Sequence, residues 1–272
     1  MGKMQRWQLT GTAPEVYAEH LVPAIFGPWA PIVVDTAQLR ARQSVLDVAC
    51  GTGVVATAAA ERVGAAGSVT GLDSNPGMLA VASARADREV RWQEGDAQAL
   101  PYPDRSFDRV ICQLGLQYFP DRPVAVREMH RVLRPGGRVV VLVWRDLSHS
   151  PGFTALADAL AAHVGPEAAA VMRAPFVFGD DAAPLASLLD GAGFTDVEVH
   201  AMSGTVRFGS IPMFVGYQCA GSPLAAHVNL RDEALLARIA EQVAAALGAP
   251  VADEPVEFPI EAHVAHGRRE AA

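Results

Sequence analysis

The sequence has few of the features that mark secreted, zinc-binding or nucleic-acid-binding proteins. It contains only three cysteines. They lie far apart and form no C-x-x-C pair, so we predict neither a disulfide framework nor a zinc knuckle. The formal net charge is −8, and the largest basic cluster is the small set Arg127, Arg131 and Arg134. We therefore expect no nucleic-acid partner.

Long apolar segments are also missing. The N-terminal residues lack the apolar core of a signal peptide, and no apolar run is long enough to cross a bilayer. We expect a cytoplasmic protein that does not insert into membranes, and its association into a homodimer is left open. His263 and His266 would point to opposite faces of a strand. We therefore predict no metal site.

Short β-branched apolar runs alternate with helical stretches from residue 44 onward. This alternation predicts βαβ units around a parallel sheet. A sixth strand is predicted at residues 196–208, and a last one is built on Ile260, Ala262 and Val264, with Pro259 at its edge. Arg134-Pro135-Gly136-Gly137 predicts a turn. The first five predicted strands are residues 45–49, 69–73, 90–95, 109–113 and 138–144.

The chain is predicted to form a single domain with insertions, because it contains neither an internal repeat nor a linker rich in serine, glycine or charge. Residues 1–43 are expected to form a helical lid, interrupted by prolines. Residues 44–208 would be the core, with a helical insertion at about residues 150–180. Residues 209–272 would complete the sheet and the acceptor pocket.

The most informative motif is an apolar strand that leads into a loop with two glycines and then an alanine-rich helix. The free N–H groups of such a helix start favour an anionic group in the crevice. Asp73 ends the next strand, where its carboxylate can accept hydrogen bonds from both ribose hydroxyls. Gly51-x-Gly53-x-x-Ala56 also fits the dinucleotide pattern. These residues alone therefore fit either a dinucleotide or an adenosyl ligand.

Four ordered blocks resemble the class I S-adenosylmethionine-dependent methyltransferases, in their ubiquinone/menaquinone-biosynthesis-like branch (methyltransferase type 11). The resemblance covers roughly residues 44–144. It implies a Rossmann-like three-layer sandwich with a seven-stranded, mostly parallel sheet whose last strand is antiparallel. An N-terminal helical lid and a helical insertion after the fifth strand complete this expected fold. The blocks are Leu46-Asp47-Val48-Ala49-Cys50-Gly51-Thr52-Gly53, Gly71-Leu72-Asp73-Ser74-Asn75-Pro76-Gly77-Met78-Leu79, Gly95-Asp96-Ala97-Gln98-Ala99-Leu100-Pro101 and Arg131-Val132-Leu133-Arg134-Pro135-Gly136-Gly137.

The resemblance implies S-adenosylmethionine as cofactor and S-adenosylhomocysteine as product. Asp47 would orient the loop or bond the methionine amine through water, and Asp73 would grip the ribose. Met78 would pack on the adenine or simply fill the core, while Asp96 would accept from the exocyclic amine. Ala49 stands where the family often has glycine. An alanine at this position is tolerated if its φ is negative. The implied cofactor-binding set is Asp47, Ala49, Gly51, Thr52, Gly53, Asp73, Ser74, Met78, Asp96, Ala97 and Gln113.

Methyl transfer depends mainly on alignment and on the exclusion of water, so few catalytic side chains are required. His149, in the loop after the fifth strand, is the preferred general base, although it also fits a structural role in the loop. Tyr17 and Gln113 are further candidates. The acceptor is expected to be a small, apolar or aromatic molecule. The residues expected to contact it are Phe26, Trp29, Phe153, Phe176, Phe178, Met213, Phe214 and Tyr217.

Two other function classes remain open. A nicotinamide-dependent dehydrogenase would need a second nucleotide-binding half, which is not found after Trp144. A protein with the same cofactor pocket but no methyl transfer would be a cyclase, a decarboxylase or a regulatory binding module. Titration with S-adenosylmethionine and with NAD would distinguish a methyltransferase from a dehydrogenase. Analysis of the reaction product would distinguish a methyltransferase from a protein that binds the cofactor without transferring its methyl group.

Overall fold

A seven-stranded sheet forms the centre of the protein, with strand order β3-β2-β1-β4-β5-β7-β6. β7 pairs antiparallel with both β5 and β6, and the other pairings are parallel. The predicted α/β class with one antiparallel strand is therefore confirmed. The structure is a computed structural model that describes residue 9, residues 11–251 and residues 253–271. The strands are β1 Ser44–Val48, β2 Ser68–Asp73, β3 Arg91–Glu94, β4 Phe107–Gln113, β5 Leu133–Trp144, β6 Thr195–Phe208 and β7 Val256–Arg268.

Helices cover both faces of this sheet. None of the helices in the described residues is both long and apolar enough to span a bilayer. A π-helix at Tyr17–Phe26 and a 3₁₀ turn at Gly27–Trp29 join the first two α-helices. The α-helices are α1 Ala13–Val16, α2 Ala30–Thr36, α3 Val54–Val63, α4 Pro76–Arg85, α5 Arg122–Val132, α6 Pro151–His163, α7 Pro166–Arg173, α8 Ala183–Asp190, α9 Ile211–Ala220 and α10 Glu233–Leu247.

Alternating side chains of the central strands supply two separate cores. Val45 and Ile111 face the core formed with α2, α3, α6 and α10. Leu46 and Val110 face the core formed with α5 and α8. Because both faces are buried, the central strands read as nearly continuous apolar runs, which is typical of parallel sheets.

The predicted turn at Arg134-Pro135-Gly136-Gly137 lies inside the range of β5, where Pro135 and the positive φ of Gly136 fit the two central positions of a type II turn. The pairing register with β4 shifts here, which makes the segment a bulged extension of the strand. Gly136 has a φ of +76°, and its N–H donates to the Arg269 carbonyl at 2.9 Å. Arg269, the residue after β7, therefore accepts the hydrogen bond of the Gly136 amide, and the sequence pattern did not reveal this partner.

The chain order reverses between β1 and β4, and parallel α/β sheets bind ligands at such a switch point. Both strands end there in left-handed backbone, since Ala49 and Leu114 each have a φ of +58°. The condition under which alanine is tolerated at residue 49, a negative φ, is therefore not met. The Ala49 methyl also lies against Gly115, where any added Cβ would meet it at 2.5 Å. Such strain in non-glycine residues often accompanies functional sites.

We expect Ala49→Gly to stabilise the protein by about 0.5–1 kcal/mol. Left-handed backbone costs an L-residue roughly 1–2 kcal/mol, and the extra freedom of glycine in the unfolded state offsets about half of that gain. Urea unfolding measures the change. The matched control is Ala245→Gly on the exposed side of α10, which should destabilise by about 0.5–1 kcal/mol. Equal losses in both variants would contradict this account of Ala49.

Candidate functional site: a two-ended cavity at the strand switch point

A cavity opens at the carboxyl ends of β1, β2 and β4, between the sheet and the N-terminal π-helix. Its empty volume is about 1470 Å³, which includes the part open to solvent at its mouth. One end is lined by polar loop residues and the other by aromatic and aliphatic side chains. The lining therefore offers both polar and apolar surface to a ligand.

Asp73, the last residue of β2, is the central polar group of the cavity. One carboxylate oxygen accepts from the Gly51 N–H at 2.9 Å and the other from the Asn75 N–H at 2.8 Å. Burial raises the pKa of Asp73, while the amides of Asn75, Gly51 and Ser74 oppose that rise. Each oxygen keeps a lone pair for a further donor. A vicinal diol such as a ribose fits this acceptor pair.

The two loop glycines have different surroundings. Gly51 lines the cavity with a φ of +54°, and a Cβ added there would meet no atom within 4 Å. Gly53 has a φ of +88°, and a Cβ there would meet the Trp92 ring at 2.4 Å. Thr52 and Gly53 line a smaller surface recess beside α3. The packing of Trp92 thus requires glycine at residue 53, and the cofactor-binding role of Gly53 stays a prediction.

Asp47 lies beneath the loop and is only 1% exposed. Burial raises the pKa of this carboxyl well above its ordinary value, the Ala56 N–H lowers it and the charge of Asp73 raises it further. Its Oδ2 atom has no hydrogen-bond partner among the described residues. A cationic amine held near the loop, directly or through water, would relieve this buried acceptor.

The slot next to Asp73 is suited to a flat heterocycle. Met78 is buried against Leu9 and Ala13 from the N-terminal segment, and Ala97 also lines the cavity. Asp96 is exposed and accepts from the Gln98 N–H at 2.8 Å. Gln98 is a further lining residue, although no sequence pattern singled it out. The slot offers an apolar surface with carboxylate and amide groups at its rim.

Tyr17 and Gln113 both line the cavity. The Gln113 Nε2 donates to the Phe26 carbonyl at 3.0 Å and so ties β4 to the π-helix. Its Oε1 is buried without a partner among the described residues. Burial raises the pKa of Tyr17, and the nearby Tyr118 and Asp73 raise it further. The Tyr17 hydroxyl is therefore a hydrogen-bond donor and not a base at neutral pH.

His149 does not contribute to the cavity wall described by the structure. It ends a 3₁₀ turn, and its Nε2 lies 2.6 Å from Asp180 while its Nδ1 lies 3.4 Å from Glu261. Arg145 pairs with the same two carboxylates. This cluster fastens the segment before α8 to β7. The geometry thus gives His149 the structural role that the sequence also allowed.

The apolar end of the cavity contains part of the predicted acceptor set. Phe26, Phe153 and Phe176 line it, together with residues not foreseen from the sequence. These are Leu21, Ile25, Tyr118, Trp144, Met172, Gln218 and Ser222. The other predicted residues have different environments in the structure: Trp29 and Phe214 in the core, Phe178 under Arg122, Met213 at the surface and Tyr217 stacked on His20.

The cavity as a whole fits the expected S-adenosylmethionine. The carboxylate of Asp73 suits the ribose, and the slot by Met78 and Ala97 suits adenine, whereas Asp47 is not among the residues described as lining the cavity. Gln113 and Tyr17 also line the cavity.

Comparison with known proteins supports this assignment for the middle of the chain. Residues 45–137 match the family described as methyltransferase domain. The chain is 40% identical over 123 residues to a 2-phytyl-1,4-naphtoquinone methyltransferase from Thermosynechococcus vestitus, and the match covers 44% of this chain and 53% of the relative. It is 45% identical over 117 residues to a demethylmenaquinone methyltransferase from Thermus thermophilus, covering 42% and 53%.

The fold extends further than these matches. The YcgJ protein of Bacillus subtilis aligns with a TM-score of 0.58 over 89% of this chain and 98% of that one, at 20% identity. This likeness concerns the fold alone. The matched part of the chain spans about half the length of the two quinone methyltransferases. The similarity is therefore concentrated in the strands and loops that carry the polar end of the cavity.

We expect Asp47→Asn to stabilise the ligand-free protein at pH 7, because the amide carries no charge that burial penalises. The folded pKa of Asp47 lies above its ordinary value of 3.8. At a pH below this ordinary value, the carboxyl is protonated in both the folded and the unfolded state. As the pH rises, the wild type therefore loses stability relative to the variant. Urea unfolding from pH 4 to pH 8 measures the difference.

The exposed substitution Asp253→Asn is the control and should leave the pH dependence unchanged. A constant difference between Asp47→Asn and the wild type across the whole range would show that Asp47 is not penalised by burial.

Proposed function

We propose that the whole chain is an S-adenosylmethionine-dependent methyltransferase, on the premise that residues 45–137 match the methyltransferase-domain family. We further propose that it modifies a small, apolar, aromatic molecule on oxygen, nitrogen or carbon. The observation that carries this proposal is the continuous cavity with a polar end at Asp73 and an aromatic end at Phe153 and Phe176.

In this proposal the polar end holds the cofactor. Asp73 accepts from the ribose hydroxyls, Gly51 lets the loop backbone approach the methionyl group, and Asp96 with the Ala97 amide reads the adenine edge. Asp47 neutralises the cofactor's amine through the acceptor that is otherwise unpaired. When bound, S-adenosylmethionine supplies a methyl group activated by its sulfonium. The side chains of Gln113 and Tyr17 then orient the acceptor toward that group.

The wall of the cavity, as far as it is described, contains no histidine. Burial raises the pKa values of Tyr17 and Tyr118, so neither is a proton acceptor near neutral pH. Catalysis here would depend on alignment and on the exclusion of water. The acceptor would then be a molecule that carries an electron-rich carbon, such as a phenol or a hydroquinone.

Gln218 gives the aromatic end a polar contact. It is 4% exposed and lines the cavity from α9, and its backbone carbonyl accepts from the Ser222 hydroxyl at 2.6 Å. Its side chain carries an amide that can pair with a ring oxygen of an acceptor in the cavity. The named activities of the two quinone methyltransferases point in the same direction. We propose a quinone-like acceptor class.

We expect Asp73→Ala to weaken S-adenosylmethionine binding at least about 30-fold. Two hydrogen bonds to a charged acceptor are worth roughly 2–4 kcal/mol in total. Isothermal titration of the wild type with S-adenosylmethionine and with NAD measures affinity and selectivity. Asp73→Asn keeps one carbonyl acceptor and tests whether loop collapse explains the loss, with near-UV circular dichroism to report folding. Unchanged affinity in Asp73→Ala, or tighter binding of NAD, would refute the proposed cofactor.

We expect 1,4-dihydroxynaphthalene to be methylated, with S-adenosylhomocysteine as the second product. Gln218→Leu should raise the KM for this acceptor about tenfold, the value of one neutral hydrogen bond, without changing the affinity for the cofactor. Met213→Ala at the surface is the control. Mass spectrometry of both products identifies the reaction. Cofactor binding without S-adenosylhomocysteine formation across a panel of phenols and hydroquinones would favour the non-methylating alternative.

A further inference from the structure

A cluster of two histidines and one glutamate lies at the outer edge of the sheet, outside the cavity described above. The Nε2 of His200 is 3.2 Å from Oε2 of Glu198, and the Nε2 of His266 is 3.7 Å from the same oxygen. The candidate ligand atoms of the three residues all lie within 4.8 Å of one another. The cluster thus gathers two imidazole nitrogens and a carboxylate around one point.

The strand register produces this cluster. Glu198 on β6 is paired directly with His266 on β7, and His200 follows on the same face two residues later. A register shift precedes Glu198, where Asp196 adopts a φ of +51°. Bulges of this kind redirect the side chains that follow them and are frequent near functional sites. His266 is 66 residues from His200 in the sequence, so the sequence alone gave no indication of the group.

We propose that Glu198, His200 and His266 bind a divalent transition-metal ion, with Zn²⁺ as the representative case, and that this ion fastens the edge strand β6 to β7. This departs from the expectation of no metal site. Two imidazoles and one carboxylate are typical ligands of zinc, cobalt and nickel, whereas magnesium and calcium prefer all-oxygen sites. Water would complete the coordination shell.

Small side-chain movements are enough to form the site. Bonds of about 2.0–2.1 Å at tetrahedral angles place ligand atoms ~3.3 Å apart. The carboxylate-to-imidazole distances of 3.2 and 3.7 Å already approach that value. His200 and Glu198 have side chains that are 61% and 60% exposed, while the His266 side chain is 14% exposed. The side chains of Glu198 and His200 can therefore move to fit a metal ion, whereas that of His266 is held in place.

The surrounding charges limit the affinity. Arg138 and Arg268 both act electrostatically on His266, and Arg138 is held in place by donating to the Thr36 carbonyl at 3.0 Å. Two cations near the ion disfavour binding. We therefore expect a dissociation constant on the order of micromolar, weaker than that of a closed structural zinc site.

The site is separate from the proposed methyl-transfer site. His266 is paired with Val140 in β5. β5 reaches the cavity four residues later, at Trp144. Four residues of strand correspond to roughly 13 Å. Loss of the metal should therefore leave S-adenosylmethionine binding unchanged, and the two proposals can fail independently.

The full chain, freed of metal by a chelator, is titrated with Zn²⁺ by calorimetry and with Co²⁺ by visible absorption. We expect one equivalent to bind and the melting temperature to rise with Zn²⁺ concentration. His200→Ala and His266→Ala should each weaken binding at least about tenfold, a loss that even an outer-shell change can cause. The matched control His163→Ala, at the end of α6, should bind like the wild type.

The exposed substitutions His200→Ala and Glu198→Gln keep the test valid if His266→Ala does not fold. Undiminished Zn²⁺ affinity in both exposed variants would overturn the proposal, as would a loss of affinity in His163→Ala as large as that in His200→Ala. Sulfur-to-cobalt charge-transfer bands would overturn it as well, because they would place the ion on the buried thiols of Cys50, Cys112 or Cys219. Binding that shifts the imidazole resonances of His200 and His266 alone would support it.

Discussion

The architecture depends on how β1 and β4 leave the sheet. These neighbouring strands lead directly into Ala49 and Leu114, and both residues adopt left-handed backbone. This abrupt change of direction separates the two segments that follow β1 and β4 and opens the crevice between them. A regular continuation of either strand would fill that space with side chains. The backbone strain at these two positions, roughly 1–2 kcal/mol each, is therefore the structural cost of having a ligand cavity at this point.

Asp73 holds the opened edge in place before any ligand arrives. Its carboxylate links the loop after β1, through Gly51, to the loop after β2, through Asn75. The Asn75 side chain in turn accepts from the first amides of α4 and donates to the Leu9 carbonyl. One carboxylate thus aligns two loops, a helix start and the N-terminal segment. Such preorganisation lowers the entropy that binding would otherwise have to overcome.

The strands and the Asp73 site could be predicted from sequence because their causes are local. Apolar runs, glycine positions and a carboxylate at a strand end are all visible within a few residues. The environments that could not be predicted depend on long-range partners. His149 is held by Asp180 and Glu261, the latter 112 residues away along the chain, and Gly53 is constrained by Trp92. The sign of φ at Ala49 likewise depends on the neighbouring strand, not on the alanine itself.

The two ends of the cavity come from different parts of the chain. The polar end is built from residues between Ala49 and Gly115, all inside the segment that matches the methyltransferase domain. The aromatic end is built largely from the π-helix and from α6, α9 and the loop after α7, which lie outside that segment. Similarity to known enzymes therefore carries information about the cofactor and little about the acceptor. The acceptor must be inferred from Phe153, Phe176 and Gln218 themselves, since a site's chemistry and not its fold determines what it binds.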